Sequence, residues 1–296
     1  MLRIAFVGTG VMGRPMAGHL LTAGYPLVVH NRSPDKAAPL LASGAAWAES
    51  PAAAAAGAEV VVTIVGLPEE VREVYLGSEG VVAHAAPGAL LVDMSTSRPS
   101  LAREIHAAAA ARGLAALDAP VSGGDVGARA ATLSIMVGGD AEAFEQARPI
   151  LEVMGRTVVH QGPAGSGQHA KLCNQLAIAG AVIGAMEALV YARGSGLDPE
   201  TVLASIGAGA AASWTLDNLY PRALAGNFAP GFFVRHFLKD LRIARDEAAA
   251  MGLELPGLAL AESLYERVVA LGGAELGTQA LYLALAGEDG LSAGRA

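Results

Sequence analysis

Three short stretches of this sequence combine residue types and spacings that can do chemistry. Gly8-Thr9-Gly10-Val11-Met12-Gly13 offers a glycine-rich turn whose backbone N–H groups suit phosphate oxygens. Ser122-Gly123-Gly124 sets a hydroxyl beside consecutive backbone N–H groups, a seat for a carboxylate, although alone it also reads as a plain turn. Lys171 and Asn174 are three apart and share one face of a helix. An ammonium and an amide heading an apolar helix are costly to bury for packing alone. That leaves two readings for the pair, a solvated first turn or a functional site.

The elements around these residues narrow the choice. Residues 2–7 form an apolar run ahead of the glycines, and Pro15-Met16-Ala17-Gly18-His19-Leu20-Leu21 follows with helical spacing. Strand, G-x-G-x-x-G and helix in that order are the context of a dinucleotide site. Gly8 permits the tight turn, Gly10 the approach of the pyrophosphate, and Gly13 close helix–strand packing. A second strand, residues 26–30, ends at Asn31-Arg32-Ser33-Pro34. An NAD site usually offers an acid here, about 20 residues past the glycines, to bind the ribose 2′-hydroxyl. This sequence instead places Arg32 there, flanked by Asn31 and Ser33, which suits a 2′-phosphate and predicts NADP(H) in preference to NAD(H). The plainer alternative is a surface arginine ahead of a helix with Ser33 at its N-cap and Pro34 at N1.

Residues 60–65 and 90–93 read as further buried strands, each followed by a loop: Val65-Gly66-Leu67-Pro68 and Met94-Ser95-Thr96-Ser97. Ligands of open sheets bind beyond the carboxyl ends of the strands, where both loops and Ser122-Gly123-Gly124 should lie. After Gly162-Pro163 the alternation stops, and residues 164–193 read as a long apolar helix followed by others near 213–225, 238–251 and 257–271. The predicted fold is therefore an α/β dinucleotide-binding domain over residues 1–162 and an all-α domain over 163–290, with a frayed tail at 291–296. Within the helical half, Phe232, Phe233, Phe237, Lys239 and Asp240 read either as an apolar pocket with charge at its rim or as core aromatics beside a solvated helix.

Composition excludes several functions. The net charge of −8, with no basic stretch, argues against nucleic-acid binding. The longest apolar run, residues 176–186, is too short for a bilayer, and no leader segment is expected ahead of the first strand. The single cysteine, Cys173, forms no internal disulfide and reads as a small core residue, so a reducing cytoplasm is expected. The histidines lack metal-ligand spacing, and no metal is expected.

Four segments in order carry a resemblance: Phe6-Val7-Gly8-Thr9-Gly10-Val11-Met12-Gly13 with Pro15-Met16-Ala17, Asp118-Ala119-Pro120-Val121-Ser122-Gly123-Gly124, residues 165–174, and Lys239-Asp240-Leu241. The chain resembles the β-hydroxyacid dehydrogenases, which include 3-hydroxyisobutyrate dehydrogenases, tartronate-semialdehyde reductases and glyoxylate/succinic-semialdehyde reductases. The resemblance implies a Rossmann domain, a long interdomain helix and a C-terminal domain of the 6-phosphogluconate dehydrogenase type that builds a homodimer or homotetramer. It implies Lys171 as the catalytic residue, assisted by Asn174. Ser122, Gly123 and Gly124 would hold the carboxylate of a small substrate, with Phe232 and Asp240 close to the pocket, while Thr96 and Lys239 would border the cofactor. An ammonium at Lys171 would polarise a carbonyl and protonate the developing alkoxide, best with its pKa lowered toward neutrality. Two other readings are an imine-reductase-like relative, which usually replaces that lysine, and a non-catalytic dinucleotide-binding module, against which Ser122, Lys171 and Asn174 stand.

Overall fold

The computed structural model describes residues 1–287, so the tail expected at 291–296 lies outside the described residues. The chain divides into two compact units, Met1–Lys171 and the chain from Leu172 onward.

In the first unit, nine strands among the described residues form one sheet: β1 Ile4–Val7, β2 Leu27–His30, β3 Ala46–Trp47, β4 Val60–Thr63, β5 Leu90–Asp93, β6 Ala115–Asp118, β7 Val121–Ser122, β8 Leu133–Gly138 and β9 Gly155–Gly162. Their order is β3-β2-β1-β4-β5-β6-β8-β7, with β9 paired to β8. The first six are parallel; β8 runs antiparallel to β6 and β7, and β9 parallel to β8. Short β-branched runs such as Val60-Val61-Val62-Thr63 form these strands because both faces are buried. Alternate residues feed two cores: Ile4, Phe6, Val60, Val62 and Leu90 on one face, Ala5, Val7, Val61 and Leu91 on the other. Helix Gly13–Thr22 packs Met16, Ala17 and Leu20 on the first face, and Pro99–Ala110 packs Leu101, Ile105 and Ala109 on the second. The chain leaves β1 toward β2 on one side and returns as β4 on the other, so the strand order reverses above Gly8. Such a switch point is where open sheets take their ligands.

Helix Ser166–Gly194 begins in the first unit and continues into the second. Its buried stripe runs Gln168, Lys171, Gln175, Ala179, Val182, Met186 and Leu189, at helical spacing. The first three are polar and the rest apolar. The apolar part packs with Leu216, Tyr220, Phe237, Leu241 and Tyr265 in the second unit's core. By length and composition this helix could cross a bilayer, with a mean hydropathy of 1.6 over its best window, which the shorter run read from sequence did not reveal. Cys173, expected in the core, is exposed: two residues beyond Lys171, helical rotation turns it roughly 200° from the buried stripe.

The remaining helices include Pro199–Ile206, Val234–Ala250 and Pro256–Ala270. The single helix expected at 213–225 is two, Trp214–Asn218 and Tyr220–Leu224, because Pro221 has no N–H with which to continue the first. Helix Val234–Ala250 starts four residues ahead of the expected 238, where Val234 N–H donates to Leu276 O at 2.9 Å.

Candidate active site

The glycine-rich loop is built by close approach. Gly8 sits at φ +100°, and a Cβ on Gly13 would fall 1.8 Å from Gly8 O, so the helix start rests directly on the turn. Gly10 differs: a Cβ there would meet no atom within 4 Å. Space therefore remains above the loop where a pyrophosphate can approach. Helix Gly13–Thr22 has no side-chain cap and no acid in its first turn, which leaves its positive end to an anion. The Thr9 hydroxyl is buried without a hydrogen-bond partner, while Thr9 N–H donates to Asn31 Oδ1 at 2.9 Å. These features fit a dinucleotide. Val11 is exposed and Met12 half-buried at the same turn.

At the end of β2, the Asn31 amide also donates to Ser33 O at 2.9 Å, so both its ends are engaged. Arg32 is 87% exposed and pairs with Glu70, Nη1 to Oε1 at 2.8 Å. Glu70 Oε2 accepts the N–H groups of Gly66 and Leu67 at 3.0 and 3.2 Å, so this carboxylate both caps helix Pro68–Leu76 and reaches Arg32. Sequence reasoning missed Glu70. Its signal was the position, third in a helix that opens with Pro68 after a strand, where an acid commonly caps.

The carboxyl edge of β5 and β6 holds a second set of buried groups. Asp118, the last residue of β6, accepts Gly165 N–H at Oδ1 and Gln168 N–H at Oδ2, both at 2.8 Å. Burial pushes its carboxyl up from the ordinary value, while those backbone donors pull it down. The helix head lies so close to the sheet that a Cβ on Gly167 would sit 2.4 Å from Met136 O and 2.5 Å from Asp118 O. This backbone contact is the reason for the glycine at 167, while Gly165 sits at φ +91°, where a Cβ would also lie 3.0 Å from Pro99 O. The Gln168 side chain then spans the loop after β5: Ser97 N–H donates to Oε1 and Nε2 donates to Ser95 O, each at 2.8 Å. Ser95 Oγ accepts Val65 N–H at 2.9 Å, which links the loops carrying Thr96 and Val65-Gly66-Leu67. Below them, Asp93 Oδ1 accepts from the Thr63 hydroxyl and Ser95 N–H, and burial pushes its carboxyl up to about 6. Lys171 follows Gln168 by three residues on the same buried stripe and is only 6% exposed.

Ser122 ends β7, half-buried, opposite Ser134 of β8. Gly123 at φ +129° and Gly124 at φ +61° turn the chain into helix Gly124–Ala130, in backbone conformations that an L side chain rarely adopts. Gly8–Gly13, Asn31–Ser33, Val65–Leu67, Thr96, Ser122–Gly124 and Lys171 thus all belong to the first unit, and Asn174, Phe232, Lys239 and Asp240 to the second.

In the second unit a polar chain runs through the core. Asn174 Nδ2 donates to Gln175 Oε1 at 2.8 Å, and Gln175 Nε2 donates to Asp240 Oδ2 at 2.7 Å. Asp240 is 1% exposed; its Oδ1 lies 3.0 Å from Lys239 Nζ, close enough for ion pairing though outside hydrogen-bond geometry. Gln175 is the member of this chain that sequence reasoning passed over. Phe232 is half-buried and packs edge-on against Phe237, with ring centres 5.9 Å apart.

The comparisons with known proteins agree along the whole chain. Residues 3–162 match the NAD binding domain of 6-phosphogluconate dehydrogenase, and residues 165–285 match the NAD-binding domain of NADP-dependent 3-hydroxyisobutyrate dehydrogenase. The chain is 54% identical to the uncharacterized oxidoreductase YkwC of Bacillus subtilis, over 94% of this chain and 97% of that protein. It is 43% identical to an NAD-dependent L-serine dehydrogenase of Pseudomonas aeruginosa, over 93% and 95% of the two chains. Among solved structures, the 3-hydroxyisobutyrate dehydrogenase of Mycobacterium tuberculosis with L-serine superposes with a TM-score of 0.88 at 38% identity, over 97% of this chain and all of that one. With its open dinucleotide loop on a doubly wound sheet and its helical second unit, the chain belongs to the 3-hydroxyisobutyrate dehydrogenase family of NAD(P)-dependent oxidoreductases.

Proposed function

We propose that this enzyme interconverts a small 3-hydroxy acid, or a 2-hydroxy acid of similar size, and the matching semialdehyde or oxo acid, with NADP(H) and with Lys171 as general acid/base. The observation that carries the reading is the buried polar stripe at the head of the long helix. Gln168, Lys171 and Gln175 occupy positions where the rest of the stripe is apolar, and Asp118 fixes the first turn, which carries Gln168, to the sheet edge that carries the cofactor loops. A buried lysine needs a reason beyond packing.

In this reading the Gly8–Gly13 loop and the start of helix Gly13–Thr22 hold the pyrophosphate, and Arg32, with Asn31 and Ser33, borders the 2′-phosphate. Val65, Gly66, Leu67 and Thr96 line the remainder of the cofactor, and the family resemblance assigns Lys239 to it as well. The bound nicotinamide supplies the hydride acceptor or donor. The backbone at Ser122, Gly123 and Gly124 receives the substrate carboxylate, and the family resemblance assigns Phe232 and Asp240 to the substrate as well. Lys171 donates a hydrogen bond to the substrate oxygen, gives up its proton as that oxygen becomes a hydroxyl, and recovers it in the reverse direction. Asn174, three residues on, offers its side-chain oxygen or N–H to the same group. A homo-oligomer in a reducing cytoplasm completes the reading, supported by exposed Tyr191, Leu197 and Trp214 and by the lone cysteine.

L-Serine is a 3-hydroxy acid named with two of the relatives above, which places it on the substrate panel. The test follows NADPH oxidation with glyoxylate, succinic semialdehyde, tartronate semialdehyde and methylmalonate semialdehyde, and NADP⁺ reduction with 3-hydroxyisobutyrate and L-serine. Lys171→Ala is expected to abolish turnover with the best of these while NADP⁺ binding survives. Near-normal turnover in that variant would remove Lys171 from the mechanism.

A further inference from the structure

The geometry points to Glu70 as a specificity-determining residue that competes with the cofactor's 2′-phosphate for Arg32. This rests on the NADP(H) reading above and concerns how strictly that preference is set.

Arg32 stands at the carboxyl end of β2, the place where a doubly wound sheet meets the adenosine ribose. It does not stand alone there. Glu70 reaches it from the helix after β4, on the other side of β1, with Oε1 2.8 Å from Arg32 Nη1. The two residues therefore approach each other across the switch point. The carboxylate is also anchored: Oε2 takes Gly66 N–H at 3.0 Å and Leu67 N–H at 3.2 Å. A glutamate tied by its own helix cap cannot swing far away when a phosphate arrives. It remains as a negative charge close to the guanidinium that the phosphate needs.

Two consequences follow for the cofactors. A 2′-phosphate must share or displace Glu70 on Arg32 and is repelled by the carboxylate that stays behind. A ribose 2′-hydroxyl suffers no such repulsion, and Glu70 can accept a hydrogen bond from it, the service that an acid at the end of β2 would otherwise perform. Arg32 favours NADP(H), and Glu70 restrains that preference. The ion pair itself is exposed, with side-chain exposures of 87% and 31%, so it is weak enough for a dianion to break. The restraint is electrostatic and long enough in range to weaken with salt.

The test measures the dissociation constants of NADP⁺ and NAD⁺ by titration calorimetry on wild type, Glu70→Gln and Arg32→Ala. Glutamine keeps an oxygen for the Gly66 and Leu67 N–H groups and removes the charge and the acceptor that face Arg32. The expected result is a three- to tenfold rise, in round figures, of the NADP⁺-over-NAD⁺ affinity ratio in Glu70→Gln, shrinking as salt is raised from about 0.05 to about 0.5 M. Glu70→Ala should raise the ratio as well. Both cofactors are titrated on the same preparation, so a loss of folded protein cancels from the ratio. An unchanged or reduced ratio in Glu70→Gln, while Arg32→Ala lowers it, would overturn the role of Glu70 and leave the NADP(H) reading standing. A ratio that Arg32→Ala does not lower would overturn that reading and this inference with it.

Discussion

The side-chain amide of Gln168 donates to Ser95 O at 2.8 Å while its oxygen accepts Ser97 N–H at the same distance, so one residue closes both ends of the loop that carries Thr96. Gln168 is completely buried and its own N–H is held by Asp118. The contact fixes the loop after β5 against the turn of helix that precedes Lys171. Replacing it with leucine conserves approximate volume but leaves Ser95 O and Ser97 N–H without partners. Each buried unsatisfied group costs about 1–3 kcal/mol, so Gln168→Leu should lose about 2–6 kcal/mol in urea unfolding. Turnover should fall more than cofactor affinity, because a displacement on the order of 1 Å between reacting groups costs up to about 100-fold in rate. A Gln168→Leu protein with wild-type stability and turnover would show that the clamp does neither job.

The three glycines of the dinucleotide loop separate into two kinds. Gly13→Ala places a methyl 1.8 Å from Gly8 O and 2.8 Å from the Ile64 side chain, so the helix must move off the turn. A melting midpoint many degrees lower is expected, as for other overpacked sites, which cost about 1–3 kcal/mol or more. Gly10→Ala meets nothing within 4 Å and should melt close to wild type. In the proposed function its methyl would instead meet the pyrophosphate, and NADP⁺ affinity should then drop at least about tenfold, or about 1.4 kcal/mol. Thermal melts with and without NADP⁺ read both effects: Gly10→Ala should lose the cofactor-induced shift, not the basal midpoint.

Where chemistry and local pattern coincide, the sequence was readable. The run Gly8–Gly13 between a strand and a helix announces both the sheet edge and the ligand class, since Gly8 and Gly13 are demanded by backbone contacts that any side chain would break and Gly10 faces open space. Pro163 and the glycines after it announce the change to helices. What sequence could not show were interactions between residues far apart in the chain. Asp118 and Gln168 are 50 residues apart, and Arg32 and Glu70 are 38, and no spacing rule connects either pair. Nor did composition separate the two faces of helix Ser166–Gly194, because alanine and glycine fill its exposed stripe as readily as its buried one; Cys173 was assigned to the wrong face for that reason.

Asp93 gives stability a pH dependence of predictable sign. Burial raises its carboxyl from 3.8 to about 6, against the opposing pull of its hydrogen bonds from Ser95 and Thr63; the nearby Asp118 carboxylate pushes in the same upward direction. Through the window between those two values the folded protein keeps a proton that the unfolded chain has released. The native state is therefore favoured at the acidic end, and this contribution is lost as pH rises through about 6. Tyr75 shares the Thr63 hydroxyl at 2.9 Å and stays neutral across this range, since burial pushes its phenol well upward. Asp118 is raised too and contributes a slope of the same sign, so the two must be separated by mutation. Asp93→Asn keeps an oxygen for Ser95 N–H and the Thr63 hydroxyl but cannot titrate. Between about pH 4.5 and about pH 7.5, wild type should lose about 2 kcal/mol of unfolding free energy relative to Asp93→Asn. Urea titrations of both proteins at the two pH values measure the difference directly. Parallel pH dependence in the two proteins would mean that Asp93 titrates near its ordinary value, and that the loop after β5 is held without a buried, proton-sensitive carboxyl.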